Sequence, residues 1–323
     1  MRSRAEPDRR RPPFAHLLFL GFEPGDVSGA SWDRIDAVSG RRTLLAEDAP
    51  ELASALASAD GLLLKPWLGA DRALIDAAPG LRYIGMLGTG IGRIDGRHAA
   101  SKGIAIRNVA GYSTRGVSEF VLAVVLAHLR DLERARSEVR AGRLSETGFA
   151  GSEIAGRTFG ILGLGRIGLA VAGLARAFGA EAIYWSRASR ADEPGIELVD
   201  RQGLFERADI LSVHLAHAPE TEGILDEAAF AAMRPGAVVV NAAPMDLVSL
   251  PALERKLATR SFTFILDHPG GLAPADLARL SRRPNCVVYP SLGYTTAEAS
   301  VAKEEIFVRA IEDHGGAAAG PAA

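Results

Sequence analysis

Three glycines, Gly163, Gly165 and Gly168, form the pattern G-L-G-R-I-G between a strand-like apolar run and an apolar helical segment. In such a pattern the first glycine permits a tight turn, the second lets a pyrophosphate approach the backbone, and the third allows close packing of helix on strand. The N–H groups that open the helix also attract phosphate. These features predict a dinucleotide-binding loop formed by Gly163, Gly165, Arg166, Ile167 and Gly168.

The end of the following strand carries Ser186, with Arg187 and Arg190 close behind. An acidic residue at this point would bind the ribose hydroxyls of NAD, and none is present. A serine with a guanidinium group can instead hold a 2′-phosphate. The sequence therefore favours NADP, with NAD possible. In the alternative interpretation both arginines are solvated loop residues.

Short apolar runs alternate with helical patterns through most of the chain, and Pro and Gly punctuate the gaps. This alternation predicts βαβ units and parallel sheets. The segment 116–141 has no internal Pro or Gly and predicts one long helix, apolar in its first half and charged in its second. Residues 1–13 and 315–323 are predicted to be disordered.

Composition excludes several classes of protein. The 323 residues suffice for two domains, and 37 basic against 39 acidic side chains exclude a generally basic nucleic-acid binder. The lone Cys286 excludes a disulfide framework, and no histidine spacing suggests a metal site. No apolar run has the ~20 residues of a membrane span. We expect a soluble, cytoplasmic α/β protein without nucleic-acid or membrane partners.

From about Gly61 to Ala299 the sequence resembles the D-isomer-specific 2-hydroxyacid dehydrogenase family. The motifs that carry the resemblance include IGMLGTGIGRID, NVAGYSTRGVSEFVLAVVLAHLR, GRTFGILGLGRIGLAVAGLARAFGA, GAVVVNAA and PNCVVYPSLGYTTAEA. The resemblance implies two Rossmann- or flavodoxin-like domains with parallel sheets and an active-site cleft between them. The cofactor domain, 115–289, would be inserted into a discontinuous substrate domain of 14–114 and 290–314.

The family's catalytic Arg, Glu and His do not carry over to this sequence. The Arg position of the N-x-A-R-G pattern corresponds to Pro244, and the Glu position, five residues after Asp267, corresponds to Leu272. The His of the P-H-x-x-G motif corresponds to Ser291. Proline and leucine have no functional group to offer, and a serine hydroxyl is far too weak an acid to replace an imidazolium.

Four other side chains are candidates for chemistry, namely Lys65, Arg93, Ser291 and Tyr294. Lys65 could hold an anion or lie as a strand-end lysine along apolar surface. Arg93 could point into the cleft or stabilise a loop. Tyr294 could donate a proton or simply pack.

Five further residues lie at strand ends. The resemblance places Ala242, Asp267 and His214 beside the cofactor, with His214 as scaffold. His217 and His268 are interpreted as structural histidines. His268 directly follows Asp267, so on a strand its side chain would face away from that carboxylate.

Two functions remain open. The chain could be an NADP-dependent oxidoreductase acting on a non-standard carbonyl or imine substrate, or a catalytically silent nucleotide-binding module. A small-molecule substrate is the expected partner. The apolar half of the helix Val117–Arg140, which resembles the family's dimerisation arm, is large for solvent exposure and predicts a homodimer.

Overall fold

The computed structural model describes residues 12–187 and 193–317, and these form two compact units. Unit 1 comprises residues 12–112 and 300–317, and unit 2 comprises 113–187 and 193–299. The second boundary lies ten residues beyond the expected 289/290. The reason is local, because the carboxylate of Asp267 accepts hydrogen bonds from the backbone of Leu292 and Gly293 and so keeps this segment with unit 2.

Unit 1 is built on a five-stranded sheet with every strand parallel to its neighbours. The strands run β2-β1-β3-β4-β5 across the sheet, the order typical of flavodoxin-like folds. They are β1 (Leu17–Leu20), β2 (Arg42–Leu45), β3 (Gly61–Leu64), β4 (Tyr83–Met86) and β5 (Ala105–Asn108). The connecting helices are α1 (Gly29–Ala37), α2 (Leu52–Ser58), α3 (Arg72–Asp76) and α4 (Gly96–Ser101).

Unit 2 is built on a seven-stranded parallel sheet in the order β12-β11-β10-β9-β6-β7-β8. The strands are β6 (Thr158–Leu162), β7 (Glu181–Trp185), β8 (Ile196–Leu198), β9 (Ile210–Val213), β10 (Ala237–Asn241), β11 (Phe262–Leu266) and β12 (Cys286–Val288). The order reverses between β6 and β9, and ligands of open α/β sheets bind at the carboxyl ends of strands beside such a reversal.

The helices of unit 2 cover both faces of this sheet, whose strands β9 and β10 are buried throughout. They are α5 (Thr114–Leu129), α6 (Leu132–Arg140), α7 (Arg166–Ala177), α8 (Arg201–Arg207), α9 (Glu227–Ala232), α10 (Leu250–Ala258) and α11 (Pro274–Ser281). A last helix, α12 (Ala297–Ala317), begins in unit 2 and continues into unit 1. The predicted α/β fold with two parallel sheets is confirmed.

The single helix predicted over 116–141 is wrong, because the segment forms two helices. Asp131, between α5 and α6, has φ 51°, a left-handed conformation that interrupts the helix. The predicted exposed apolar stripe is also absent, since Val117, Val121 and Val125 are buried within unit 2. The apolar half of this helix therefore gives no reason to expect a homodimer. The homodimer itself stays a prediction.

Part of each segment that was predicted to be disordered has a defined structure. Helix α12 continues to Ala317, and Pro13 contributes its carbonyl to a hydrogen bond with Arg82. The remainder of both predicted segments, 1–11 and 318–323, lies outside the described residues. No helix in the described ranges combines the length and apolarity needed to cross a membrane.

Candidate functional site

The glycine loop between β6 and α7 has the geometry that its sequence predicts. Gly163 has φ 103°, and a Cβ there would lie 2.9 Å from the backbone nitrogen of Leu215. A Cβ on Gly168 would lie 2.2 Å from the carbonyl oxygen of Gly163. A Cβ on Gly165 would meet no described atom within 4 Å. The first and third glycines thus permit the turn and the packing, and the second leaves open space above the loop.

Helix α7 begins directly after Gly165, with Arg166 exposed and Ile167 partly buried against the core. Its twelve residues direct the positive end of the helix dipole, and the free N–H groups of its first turn, toward that open space. A pyrophosphate needs such donors and no side chain in the way. The loop therefore fits the phosphates of a dinucleotide.

At the carboxyl end of β7, Ser186 is partly buried and Arg187 is exposed. The Arg187 guanidinium lies 3.8 Å from the carboxylate of Glu220, a weak and solvent-accessible ion pair. Sequence reasoning missed Glu220, which is 33 positions away in the chain. Arg190 lies outside the described residues.

His214 follows β9 and lies under the glycine loop, where its backbone N–H donates to the carbonyl of Leu162. Its Nε2 is 2.6 Å from the hydroxyl of Ser212, and its buried Nδ1 has no hydrogen-bond partner in the described part of the chain. Burial lowers the pKa of His214 to about 3, so the ring is neutral at physiological pH. The scaffold role of His214 stays a prediction.

Asp267, at the carboxyl end of β11, is 3% exposed. Its carboxylate accepts hydrogen bonds from the N–H groups of Leu292, at 2.7 Å, and Gly293, at 3.1 Å. Burial raises the pKa of this carboxyl group, while the two N–H donors act in the opposite direction. The carboxylate thereby fixes the loop after β12.

Ala242, after β10, is partly buried against the core.

That loop presents Ser291 with φ 55°, a left-handed backbone conformation. The Ser291 hydroxyl oxygen lies 3.4 Å from Nδ1 of His268, and the rings of His268 and Tyr294 meet edge to face with centroids 6.4 Å apart. The structure thus gathers Ser291 and Tyr294, both predicted, around a histidine that the sequence suggested was structural. The sequence feature that could have predicted this contact is that His268 and Ser291 each follow a strand, and these two strands are neighbours in the sheet.

The other two family positions carry no polar side chain here. Pro244 precedes a short 3-10 turn, Met245–Leu247, and accepts a backbone hydrogen bond from Leu247. Leu272 is partly buried and packs against the hydrophobic core on one face of the sheet. Neither residue can bind a carboxylate or orient an imidazole.

In unit 1, Lys65 follows β3 and is 9% exposed. Its ammonium group pairs with the carboxylate of Asp26 and lies 5.3 Å from the ring centre of Phe22 and 5.2 Å from that of Trp67. Burial raises the pKa of Asp26, but the backbone N–H of Glu23 and the Lys65 ammonium group together hold it below its usual value. Lys65 is therefore neutralised by a partner within its own unit.

Arg93 lies in the loop that follows β4, also at the carboxyl edge of the unit 1 sheet. Its backbone carbonyl accepts a hydrogen bond from Ala70. Its side chain is exposed, and no described residue pairs with the guanidinium. Within unit 1, Arg93 is thus a more available cation for an anionic ligand than Lys65.

A model of the NAD-binding domain of D-isomer-specific 2-hydroxyacid dehydrogenases matches residues 122–293, more than half of the chain. The chain belongs to this family. D-3-phosphoglycerate dehydrogenase of Mycobacterium leprae is 35% identical over 255 residues, which cover 78% of this chain and 48% of that protein. Hydroxypyruvate reductase of Thermotoga maritima is 31% identical over 252 residues, 77% of this chain and 82% of the relative. The chain spans about half the length of the first of these relatives.

Among solved structures, one described as "Acyclic imino acid reductase (Bsp5) in complex with NADPH and D-Arg" is similar over 92% of this chain and 96% of its own, with a TM-score of 0.83 and 25% identity. The matched model shows that residues 122–293 form a nicotinamide-cofactor-binding domain of this family. Across 12–187 and 193–317, no cluster of His, Cys, Asp or Glu could hold a metal ion.

Proposed function

We propose that this member of the family is an NADPH-dependent reductase of C=N bonds, acting on imines of 2-keto acids in preference to the keto acids themselves. The observation that carries the proposal is a contrast within unit 2. The glycine loop fits a dinucleotide, whereas Pro244, Leu272 and Ser291 stand at the family's three catalytic positions.

The chemistry of the two substrate classes explains why this contrast favours an imine. Reduction of a carbonyl creates negative charge on oxygen, which a nearby cation and a proton donor must stabilise. A protonated imine carries a positive charge that it loses on reduction, so a cation at position 244 would oppose its formation in the site. The uncharged Pro244 therefore suits an imine and not a carbonyl substrate.

The residues that would hold the cofactor are those of the glycine loop and of the strand ends beside it. Gly165 and the first turn of α7 would receive the pyrophosphate, and Ser186 and Arg187 the adenosine ribose with its 2′-phosphate. When bound, the reduced nicotinamide supplies the hydride of the reaction. The imino acid reductase of similar structure is described with NADPH, and this supports both the cofactor and the substrate class.

The cofactor preference gives a first prediction. Arg187→Ala is expected to weaken NADPH binding by about 10- to 100-fold, since a charge-assisted phosphate contact contributes about 1.5–3 kcal/mol. NADH affinity should not change. Glu220→Gln is expected to strengthen NADPH binding several-fold, because the carboxylate 3.8 Å from Arg187 competes with the phosphate. Calorimetric titration of both cofactors measures these changes, and equal affinities that neither substitution alters would contradict the assignment.

We also propose that a second copy of the chain covers the exposed face of α6. Leu132, Ala135 and Val139 recur at helical spacing, and Leu132 and Val139 are 53% and 54% exposed. We expect a dimeric mass by light scattering at micromolar concentration, and a monomer for Leu132→Glu combined with Val139→Glu. Ser137→Glu, at an exposed position on the opposite face of the same helix, serves as the control. A monomeric wild-type protein would refute this proposal.

The function itself is tested by following NADPH oxidation with a panel of 2-keto acids, each with and without ammonia or methylamine. The amine forms the imine in solution, so the proposed reductase needs it. NADPH binding without turnover on any mixture would instead support the silent nucleotide-binding module.

A further inference from the structure

The imidazole missing from position 291 has a structural substitute on the neighbouring strand. Strands β11 and β12 pair in parallel with Leu266 opposite Val288, so their carboxyl ends lie side by side. The N–H of Tyr289 extends this pairing by donating to the carbonyl of Leu266 at 2.8 Å. His268 follows one of these strand ends and Ser291 the other, and this adjacency brings the Ser291 hydroxyl to 3.4 Å from Nδ1 of His268.

The loop that carries Ser291 is held by several contacts. The buried carboxylate of Asp267 binds the N–H groups of the two residues after Ser291, and a Cβ on Gly293 would lie 2.7 Å from that carboxylate. The hydroxyl of Thr295 donates to the Ser291 carbonyl at 3.1 Å. Ser291 is therefore a fixed point beside His268, even though its left-handed backbone is uncommon outside glycine.

The side chains of His268, Ser291 and Tyr294 lie together and differ in how readily they give up a proton. Imidazole is the group most often used for general acid–base catalysis, whereas the hydroxyl groups of serine and tyrosine hold their protons more tightly. A hydrogen bond at one ring nitrogen fixes the orientation of the ring and leaves the other nitrogen for the reaction. His268 is partly exposed, so it can recover a proton from solvent after each turnover.

We propose that His268 is the proton donor of the reaction and that Ser291 positions its ring through Nδ1. The inference rests on the proposed function. The nitrogen of the neutral imine accepts the proton that leaves Nε2 of His268, and this gives the protonated imine. The substrate carbon then accepts the hydride that a bound reduced nicotinamide would supply, and the nicotinamide is thereby oxidised. The C=N double bond becomes a C–N single bond, and the neutral imidazole is reprotonated by water.

The test uses the full chain and a keto acid–amine mixture that the wild type reduces. His268→Ala is expected to lower kcat by at least ~100-fold, within the range for loss of a general acid, with NADPH affinity unchanged. Added imidazole should raise the rate of the His268→Ala variant at least ~10-fold. His268→Gln, which retains a polar side chain of similar size, should lose as much and guards against misfolding of the alanine variant. His98→Ala, which removes a histidine paired with Asp76 in unit 1, is the matched control.

Ser291→Ala tests the positioning role separately. It is expected to lower kcat by about 10-fold and to raise the solvent deuterium isotope effect, because a poorly oriented ring slows proton transfer more than the other steps. A kcat for His268→Ala within about twofold of wild type, or a loss matched by an equal loss of NADPH affinity, would overturn the inference while the proposed function stood. A wild type that reduces no mixture would overturn both.

Discussion

Replacing Gly165 by valine is expected to abolish NADPH binding while leaving the protein folded. The φ of this residue is −84°, which valine can adopt, and a Cβ there meets no described atom within 4 Å. The added side chain would fill the space that the pyrophosphate needs. We expect the Kd for NADPH to rise at least ~100-fold, against a cost of about 1 kcal/mol in unfolding free energy at a helix N-cap.

Gly173→Val is the matched control for this substitution. It lies on the same helix, α7, and a Cβ there also meets no described atom within 4 Å, but it lies two turns from the loop. Cofactor titration and thermal unfolding of the two variants separate binding from folding. Wild-type NADPH affinity in Gly165→Val would show that the phosphates bind elsewhere.

The wild-type protein is expected to reduce glyoxylate, pyruvate and hydroxypyruvate negligibly when no amine is present. With Pro244 and Ser291 at the Arg and His positions, a keto acid loses both its cation and the family's proton donor. Loss of a general acid alone is typically worth ~10²–10⁴-fold. The losses should not multiply fully, since groups that act as a unit are non-additive.

The reciprocal variant combines Pro244→Arg, Leu272→Glu and Ser291→His. Arginine can adopt the φ of −55° at position 244, and histidine is among the residues that tolerate the φ of 55° at position 291. We expect keto-acid reduction to rise at least ~10-fold over wild type, with unchanged NADPH affinity. Steady-state rates measure this, and wild-type rates of order 10 s⁻¹ on keto acids alone would contradict our assignment of the three positions.

The sequence predicts well those parts of the site that are formed by residues adjacent in the chain. The glycine loop places its turn, its open face and its helix start within six consecutive residues, so Gly163, Gly165 and Gly168 could be assigned without a structure. The parallel sheets were likewise predictable, because many strands, such as Leu17–Leu20 and Gly61–Leu64, are short apolar runs with Pro or Gly close by.

The partners of the charged and polar candidates could not be predicted, because they come from distant positions in the chain. Asp26 neutralises Lys65 from 39 positions away, and His268 reaches Ser291 from 23 positions away. Both contacts depend on which strands are neighbours in the sheets. The break of the predicted long helix depends on one left-handed residue, Asp131, for which helix periodicity gives no warning.

The most direct test of the account is the amine dependence of NADPH oxidation by the wild-type protein. Absorbance at the NADPH band is followed with one 2-keto acid at fixed concentration while ammonia or methylamine is increased at constant pH and ionic strength. We expect the rate to start near the background and to rise at least ~100-fold with amine, with a 2-amino acid as product. A rate that is already maximal without amine, and that yields the 2-hydroxy acid, would contradict it.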